Sequence, residues 1–150
     1  MPQTLGSASM APNDRRRMPV DRKGKTHKVI IHDVTTGQTQ EGYITANINE
    51  DGTLGEIFLT DFGKDGSTLQ GWVQVSAMLA SICIQHGEFP TLVRKLGQMK
   101  YPPYGPTDNP TIPSCTSVPD YIIHWLVHAF GTKEQWKELV AEDRKAAGLA

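Results

Sequence analysis

A glycine-rich segment at residues 63–68 has the residue types of a phosphate-binding site. Its members are Gly63, Lys64, Asp65, Gly66, Ser67 and Thr68. A helix that begins here leaves about four backbone N–H groups free and carries about half a positive charge at its start. Glycines let a phosphate approach the backbone, while a lysine and hydroxyls add charge and donors. The order is not GxxxxGK[ST], so the segment does not predict an ATPase. Two interpretations stay open: Ser67 or Asp65 only caps a helix, or residues 64–68 also bind a ligand.

Cys115 is the candidate reactive thiol. It lies between a proline-rich segment and a predicted helix start, and a helix N-terminus can lower the pKa of a thiol. No base or second cysteine is near it in the sequence, so packing is the alternative. The spacing of His124 and His128 could bind one metal ion, but no HExxH glutamate accompanies them. We therefore predict no metal site, and no triad or carboxylate pair is strong enough to name a catalytic residue.

Three tyrosines are candidate contacts for a nucleotide base or a protein partner. Tyr101 and Tyr104 belong to "YPPYGP", a stiff loop that could present aromatic rings for stacking. Tyr121 follows Asp120 in the first turn of a predicted helix, where it could face a ligand. For all three, packing against the helices is the alternative interpretation.

The elements that must position these residues begin with three predicted strands. Apolar alternation in "HKVIIHDV", "EGYITANIN" and "LGEIFLTDF" indicates β-structure, and the Asp51-Gly52 pair is typical of a tight hairpin. Short connections between the three segments predict an antiparallel meander.

A helical period replaces the alternation from Ser67 onwards. Apolar and small residues that include Leu69, Trp72 and Val73 predict a helix up to Gly87 that packs across the sheet. "PTLVRKLGQM" predicts a shorter helix, and the six prolines of residues 100–120 predict a stretch without regular structure. Pro119 and the Thr132–Gln135 capping box predict two more helix starts. The predicted fold is α+β: a three-stranded antiparallel meander, then a long helix and two or three shorter helices packed on one face.

The length of 150 residues predicts one folded domain with flanking segments. Residues 1–26 are predicted to be a basic, flexible tail, because residues 1–28 carry seven basic and two acidic side chains. Residues 27–131 form the predicted domain, and residues 132–150 a C-terminal amphipathic helix. The basic tail offers the one expected route to nucleic acid. No apolar run is long enough for a membrane helix and no secretory signal is evident, so we expect a cytoplasmic protein.

Several segments in the same order resemble one known family. "THKVIIHD", "EGYITANINEDGTLGEIF" and "GSTLQGW" resemble the C-terminal accessory domain of adenosylcobalamin-dependent (class II) ribonucleotide reductases. "SVPDYIIHWL" resembles the signature of the TSCPD family, although Cys115 precedes "TSVPD" instead of lying within it. The resemblance covers about residues 26–130. It also suggests a bacteriophage source, hence a host cytoplasm.

The resemblance implies a binding role in deoxynucleotide metabolism. Class II reductases carry a catalytic barrel with a radical cysteine. The accessory-domain resemblance accounts for most of these 150 residues and leaves no room for that barrel. We therefore expect no complete reductase activity and no cofactor, since adenosylcobalamin belongs to the full-length enzymes. Expected partners are a nucleotide or nucleotide-derived small molecule, a ribonucleotide reductase, or a second copy of the chain. The alternatives are a viral protein that sequesters a host cyclic-nucleotide immune signal, a protein-docking module without a ligand, and a thiol-redox helper that uses Cys115.

Overall fold

The computed structural model describes residues 14–63 and 66–148. Lys64 and Asp65, together with residues 1–13 of the predicted tail, lie outside the described residues. Strands and helices follow one another as β1 (Lys23–His32), β2 (Thr39–Ile48), β3 (Leu54–Thr60), α1 (Thr68–Gln85), α2 (Phe89–Leu96), β4 (Gly105–Asn109), β5 (Ile112–Cys115), α3 (Val118–Phe130) and α4 (Lys133–Ala146). The predicted α+β fold class is confirmed.

The sheet is antiparallel and has the strand order β3-β2-β1-β4-β5. The predicted meander forms one side of it. β1 and β2 pair over their full length, from Lys23 opposite Ile48 to His32 opposite Thr39. The Asp51-Gly52 hairpin connects β2 to β3, and Gly52 takes the positive φ of 87° that this turn needs.

Two strands occupy the segment for which the prolines predicted no regular structure. β4 pairs with β1 through Thr107 opposite Ile31, and β5 pairs with β4. The prediction was therefore wrong for β4 and β5. Both strands are short and β5 lies at the sheet edge, where a strand tolerates proline because one side of its backbone needs no ladder hydrogen bond.

The core lies between one face of the sheet and α3. Alternate residues of β1 and β2 point to it, among them Val29, Ile31 and Ile44, which are at most 1% exposed. From α3, Tyr121 and Leu126 reach the same core and are equally buried. α4 packs on α3 from outside and adds Leu139 to a second small cluster.

Helix α1 lies along the free edge of β3 instead of across the sheet, so that prediction was wrong. Ser81 Oγ accepts from the N–H of Ile57 at 2.9 Å and donates to the C=O of the same residue at 3.0 Å. One turn later, the Nε2 of Gln85 donates to the C=O of Gly55 at 3.0 Å. The helix thus satisfies backbone groups that an edge strand leaves unpaired.

The chain before β1 contacts the domain as well. The N–H of Arg16 donates to the C=O of Gln85 at 2.9 Å, and the Arg22 guanidinium binds both oxygens of buried Glu56 at 2.6 and 2.7 Å. β1 itself begins at Lys23, inside the segment predicted as tail. Among the described residues, no helix is long and apolar enough to cross a membrane.

Candidate functional site

The glycine-rich segment caps α1, as one of its two interpretations predicts. Ser67 is the N-cap, and its Oγ accepts from the N–H of Gln70 at 3.1 Å. The Gln70 side chain returns to accept from the N–H of Gly66 at 3.0 Å. Gly63 and Gly66 take positive φ angles of 96° and 75°, which suit glycine. Because Lys64 and Asp65 are outside the described residues, ligand binding by residues 64–68 stays a prediction.

Tyr101 and Tyr104 lie at a distance from the glycine-rich segment. Tyr101 is 44% exposed. The C=O of Tyr104 accepts from the N–H of Val34 at 3.0 Å, which places it beside the end of β1. The glycine-rich segment follows β3, and the two tyrosines precede β4. Because β2 and β1 lie between β3 and β4, these two strands are about 14 Å apart at ordinary strand spacing. A ligand that contacts both places has to span that distance.

Tyr121 is in the core, where it joins residues from distant parts of the chain. It is 1% exposed, and its hydroxyl lies 2.7 Å from His27 Nε2 and 3.1 Å from Asn109 Nδ2. His27 also stacks on Trp125, with ring centroids 5.1 Å apart. Burial, with a contribution from the charge of Lys25, lowers the pKa of His27. Burial also raises the pKa of Tyr121. At neutral pH the two groups therefore meet as a neutral imidazole and a protonated phenol that share one hydrogen bond.

Cys115 is buried, and its surroundings do not favour a reactive thiol. Burial raises its pKa to about 11, although N–H groups of Gly105 and Ser117 oppose the rise. At neutral pH the residue is a thiol, whereas the nucleophilic form is the thiolate. The helix start beside it does not reverse this effect. Packing is the role that the geometry supports.

An ionic cluster made of buried Asp120, buried His124 and partly exposed Asp143 connects α3 to α4. His124 Nδ1 lies 2.7 Å from the backbone oxygen of Asp120 and 3.3 Å from its carboxylate. Its Nε2 lies 2.7 Å from the Asp143 carboxylate. The Asp120 carboxylate also accepts from the N–H groups of Gln98 and Thr116, at 2.8 and 3.0 Å. The cluster therefore holds the α2–β4 connection and the β5–α3 turn as well.

The charges of this cluster follow from its contacts. Burial alone lowers the pKa of His124, but hydrogen bonds to Asp120 and Asp143 outweigh burial and raise it to about 10. For Asp120, burial favours the neutral acid, yet the hydrogen bond and charge of His124 and the two N–H donors lower its pKa overall. His124 is thus an imidazolium between two carboxylates.

Among the described residues, these three form the group whose ligand atoms are close enough to hold a metal ion, within 4.8 Å of one another. A doubly protonated ring has no lone pair to offer a metal. The arrangement accordingly fits an ion-pair network. His128, the other histidine of the predicted spacing, is outside this group and its ring contacts Trp136 at 5.1 Å.

The sequence did not predict the contacts of Tyr121 with His27 or the ionic cluster around His124, but it contains a partial signal for each. His27 and Tyr121 belong to the two ends of the family resemblance, in "THK" and "PDY", but nothing local indicates that they touch. Asp120 and His124 have the i,i+4 spacing of a helical ion pair. Asp143 is recruited only when α4 packs on α3, which no sequence pattern reveals.

In the described part of the chain, most of the large apolar side chains that are exposed belong to α1. Leu69 and Trp72, which belong to the pattern that predicts a helix packed across the sheet, are 61% and 65% exposed. Further along the helix a continuous stripe, here called the α1 stripe, consists of Trp72, Val75, Met78, Leu79 and Ile82, all of which are exposed. The opposite side of the helix carries the residues that pack on β3, such as Ala77 and Ser81.

Comparison with known proteins identifies one family. The TSCPD domain model matches residues 15–130. The chain is 36% identical over 136 residues to a vitamin B12-dependent ribonucleotide reductase of Streptomyces avermitilis, covering 90% of this chain and 13% of that protein. It is 35% identical over 113 residues to the enzyme of that name from Rhodopirellula baltica, covering 75% of this chain and 10% of that protein.

A third relative, the vitamin B12-dependent ribonucleotide reductase of Bradyrhizobium diazoefficiens, is 31% identical over 121 residues, or 78% of this chain and 9% of the relative. The chain thus spans roughly a tenth of the length of these three relatives. No solved structure matches it. The family model covers the sheet and helices α1 to α3, and on that basis the chain belongs to the TSCPD domain family.

Proposed function

We propose that this chain is a binding module of deoxynucleotide metabolism, which serves a ribonucleotide reductase by recognising a nucleotide or the reductase itself and performs no reduction of its own. The observation that carries the proposal is the match of 90% of the chain to 13% of a reductase. The shared part is one compact α+β unit.

The proposed ligand-binding site, here called the seat, is at the start of α1. Gly66, Ser67 and Thr68 lie at a helix N-terminus, and Gly66, which takes a positive φ, has no side chain to cover the backbone. Gly66 and Thr68 are exposed, so a phosphate can reach them. The proposed seat also includes Lys64, for charge, and Asp65. Tyr101 and Tyr104 remain candidate contacts for a base or partner, and a ligand that uses them must be long.

A calorimetric titration of the chain with ribo-, deoxyribo- and cyclic nucleotides tests this seat. We expect one class of nucleotide to bind, and Lys64→Ala to weaken that binding about tenfold, the loss of one exposed charged contact worth about 1.4 kcal/mol. Lys95→Ala is the matched control, because Lys95 is an exposed lysine on α2. If both variants bind the nucleotide with the same affinity as the native chain, Lys64 does not contribute to binding.

The same titration separates the alternative roles. Stoichiometric binding of a cyclic nucleotide at nanomolar concentration, about −12 kcal/mol, favours a protein that sequesters a signal. Weaker binding of a reductase substrate or effector favours the metabolic role. If no nucleotide binds, the module docks on protein, and a pull-down with a purified B12-dependent reductase from which the homologous region is deleted becomes the test of the proposal.

A further inference from the structure

The α1 stripe is opposite the side of α1 that packs on β3. At about 100° per residue, its five members fall within an arc of about 120°. Ala77, Ser81 and Ile84, which are buried against the domain, centre on the other side of the same helix. Gly71 adjoins the stripe, and there a side chain would meet open space. The helix therefore presents a second apolar face on which another backbone can approach closely.

No charged residue occurs anywhere in α1, from Thr68 to Gln85. A surface helix normally keeps charges on the side that faces water. Trp72, Met78 and Leu79 are 65%, 64% and 59% exposed. Together with Val75 and Ile82 they form an apolar patch of about 500 Å². This area is toward the upper end of the range for the largest patch on a monomeric protein. A surface of this kind is typical of an interface with another protein.

We propose that the α1 stripe binds the α1 stripe of a second copy of this chain, with the two helices antiparallel about a twofold axis near residue 77. The spacing is self-complementary under that symmetry. Trp72 of one copy comes level with Ile82 of the other, and Val75 with Leu79.

Electrostatics and area both permit this pairing. Since α1 carries no charge, two copies bring no like charges together, and antiparallel helix dipoles attract. Two patches of about 500 Å² bury about 1,000 Å², the lower limit for a specific interface. We therefore expect a dissociation constant in the micromolar range instead of an obligate dimer. This inference does not depend on the nucleotide seat, because self-association is measured without ligand.

Sedimentation velocity over a concentration series tests the pairing. The native chain is expected to pass from monomer to dimer at micromolar concentration. Met78→Glu should weaken the dimer at least 100-fold, because it places an unpaired charge in the interface. Val34→Glu is the matched control, since Val34 is also an apolar residue with 61% exposure but lies on the β1–β2 turn. Leu79→Lys repeats the test, and circular dichroism confirms that each variant is folded.

Cysteine trapping tests the register. In a Cys83→Ser background, Val75→Cys with Leu79→Cys should form an intermolecular disulfide under mild oxidation, whereas a Val34→Cys variant should not. A native chain that stays monomeric throughout the series overturns the proposal. So does a dimer that Met78→Glu and Leu79→Lys leave intact, or trapping no faster than in the Val34→Cys control.

Discussion

Helices α1 and α3 are both rich in apolar residues and both begin at a serine N-cap, yet their surroundings are opposite. α3 has thirteen residues, of which eight are buried, including Asp120 and His124. α1 has eighteen residues, of which four are buried. The helix that contains Asp120 and His124 is thus the core helix, and the helix without charged residues is the surface helix. The absence of charged residues therefore does not by itself identify the helix that holds the fold together.

The difference follows from the number of neighbours. β5, α2 and α4 pack against α3, so even its charged residues are enclosed and must find partners. α1 packs on β3 at the sheet edge and on α2 near its own end. One side of α1 is therefore left to the solvent. We infer that α3 stabilises the domain and that α1 provides a surface for binding.

Leucine truncation should separate the two helices most strongly. Leu126→Ala on α3, at a site 1% exposed, is expected to lower the free energy of unfolding by about 3 kcal/mol through lost burial and a cavity. Leu79→Ala on α1, at a site 59% exposed, should change it by no more than about 0.5 kcal/mol. Urea denaturation at low protein concentration measures both. Equal costs contradict the assignment of the two helices.

Removal of the buried imidazolium should have the next largest effect. His124→Gln is expected to cost about 2 kcal/mol at pH 6, because Asp120 keeps its charge but loses its buried counter-ion. The exposed His128, on the same helix, provides the control His128→Gln, which should cost little. Urea denaturation of both variants at pH 6 gives the comparison.

The contribution of His124 to the free energy of unfolding should depend on pH. Its pKa is raised from 6.5 to about 10 on folding, so its contribution is complete below pH 6.5 and is lost as the pH rises through 10. The pKa of Asp120 is lowered, so its contribution is lost as the pH falls below about 3.8. The difference between the native chain and His124→Gln should therefore shrink between pH 6.5 and 10. A difference that grows in this range contradicts an imidazolium.

The smallest expected effect concerns the edge of β3. Ser81→Ala should cost about 1 kcal/mol, because the N–H and C=O of Ile57 lose their partner. Ser76→Ala is the matched control on the same helix: its hydroxyl donates to the C=O of Trp72 at an exposed position, and alanine is the better helix former. Thermal unfolding of dilute samples compares the two. Identical shifts would contradict a specific link between α1 and the sheet edge.

Local signals were sufficient for much of the fold. The alternation that predicts β1 to β3, the Ser67 cap and the Thr132–Gln135 capping box all involve neighbouring residues, and each is confirmed. The helix ending at Gly131 belongs to the same group. These elements depend on backbone conformation and side-chain spacing within a few residues.

Features that depend on distant contacts could not be predicted. β4 and β5 form despite their prolines because β1 offers an unpaired edge. His27, Asn109 and Tyr121 meet only after the sheet and α3 assemble. Asp143 joins His124 for the same reason. In α1, periodicity predicts the helix but not which of its apolar residues the domain covers.

Hydrogen–deuterium exchange of the native chain at low and high protein concentration tests the division between α1 and α3 most directly. We predict that amides of α1 exchange more slowly as the concentration rises through the micromolar range, while amides of α3 are protected equally at both. Exchange of α1 that does not change with concentration, or a change confined to α3, would contradict the assignment of α1 as the binding surface.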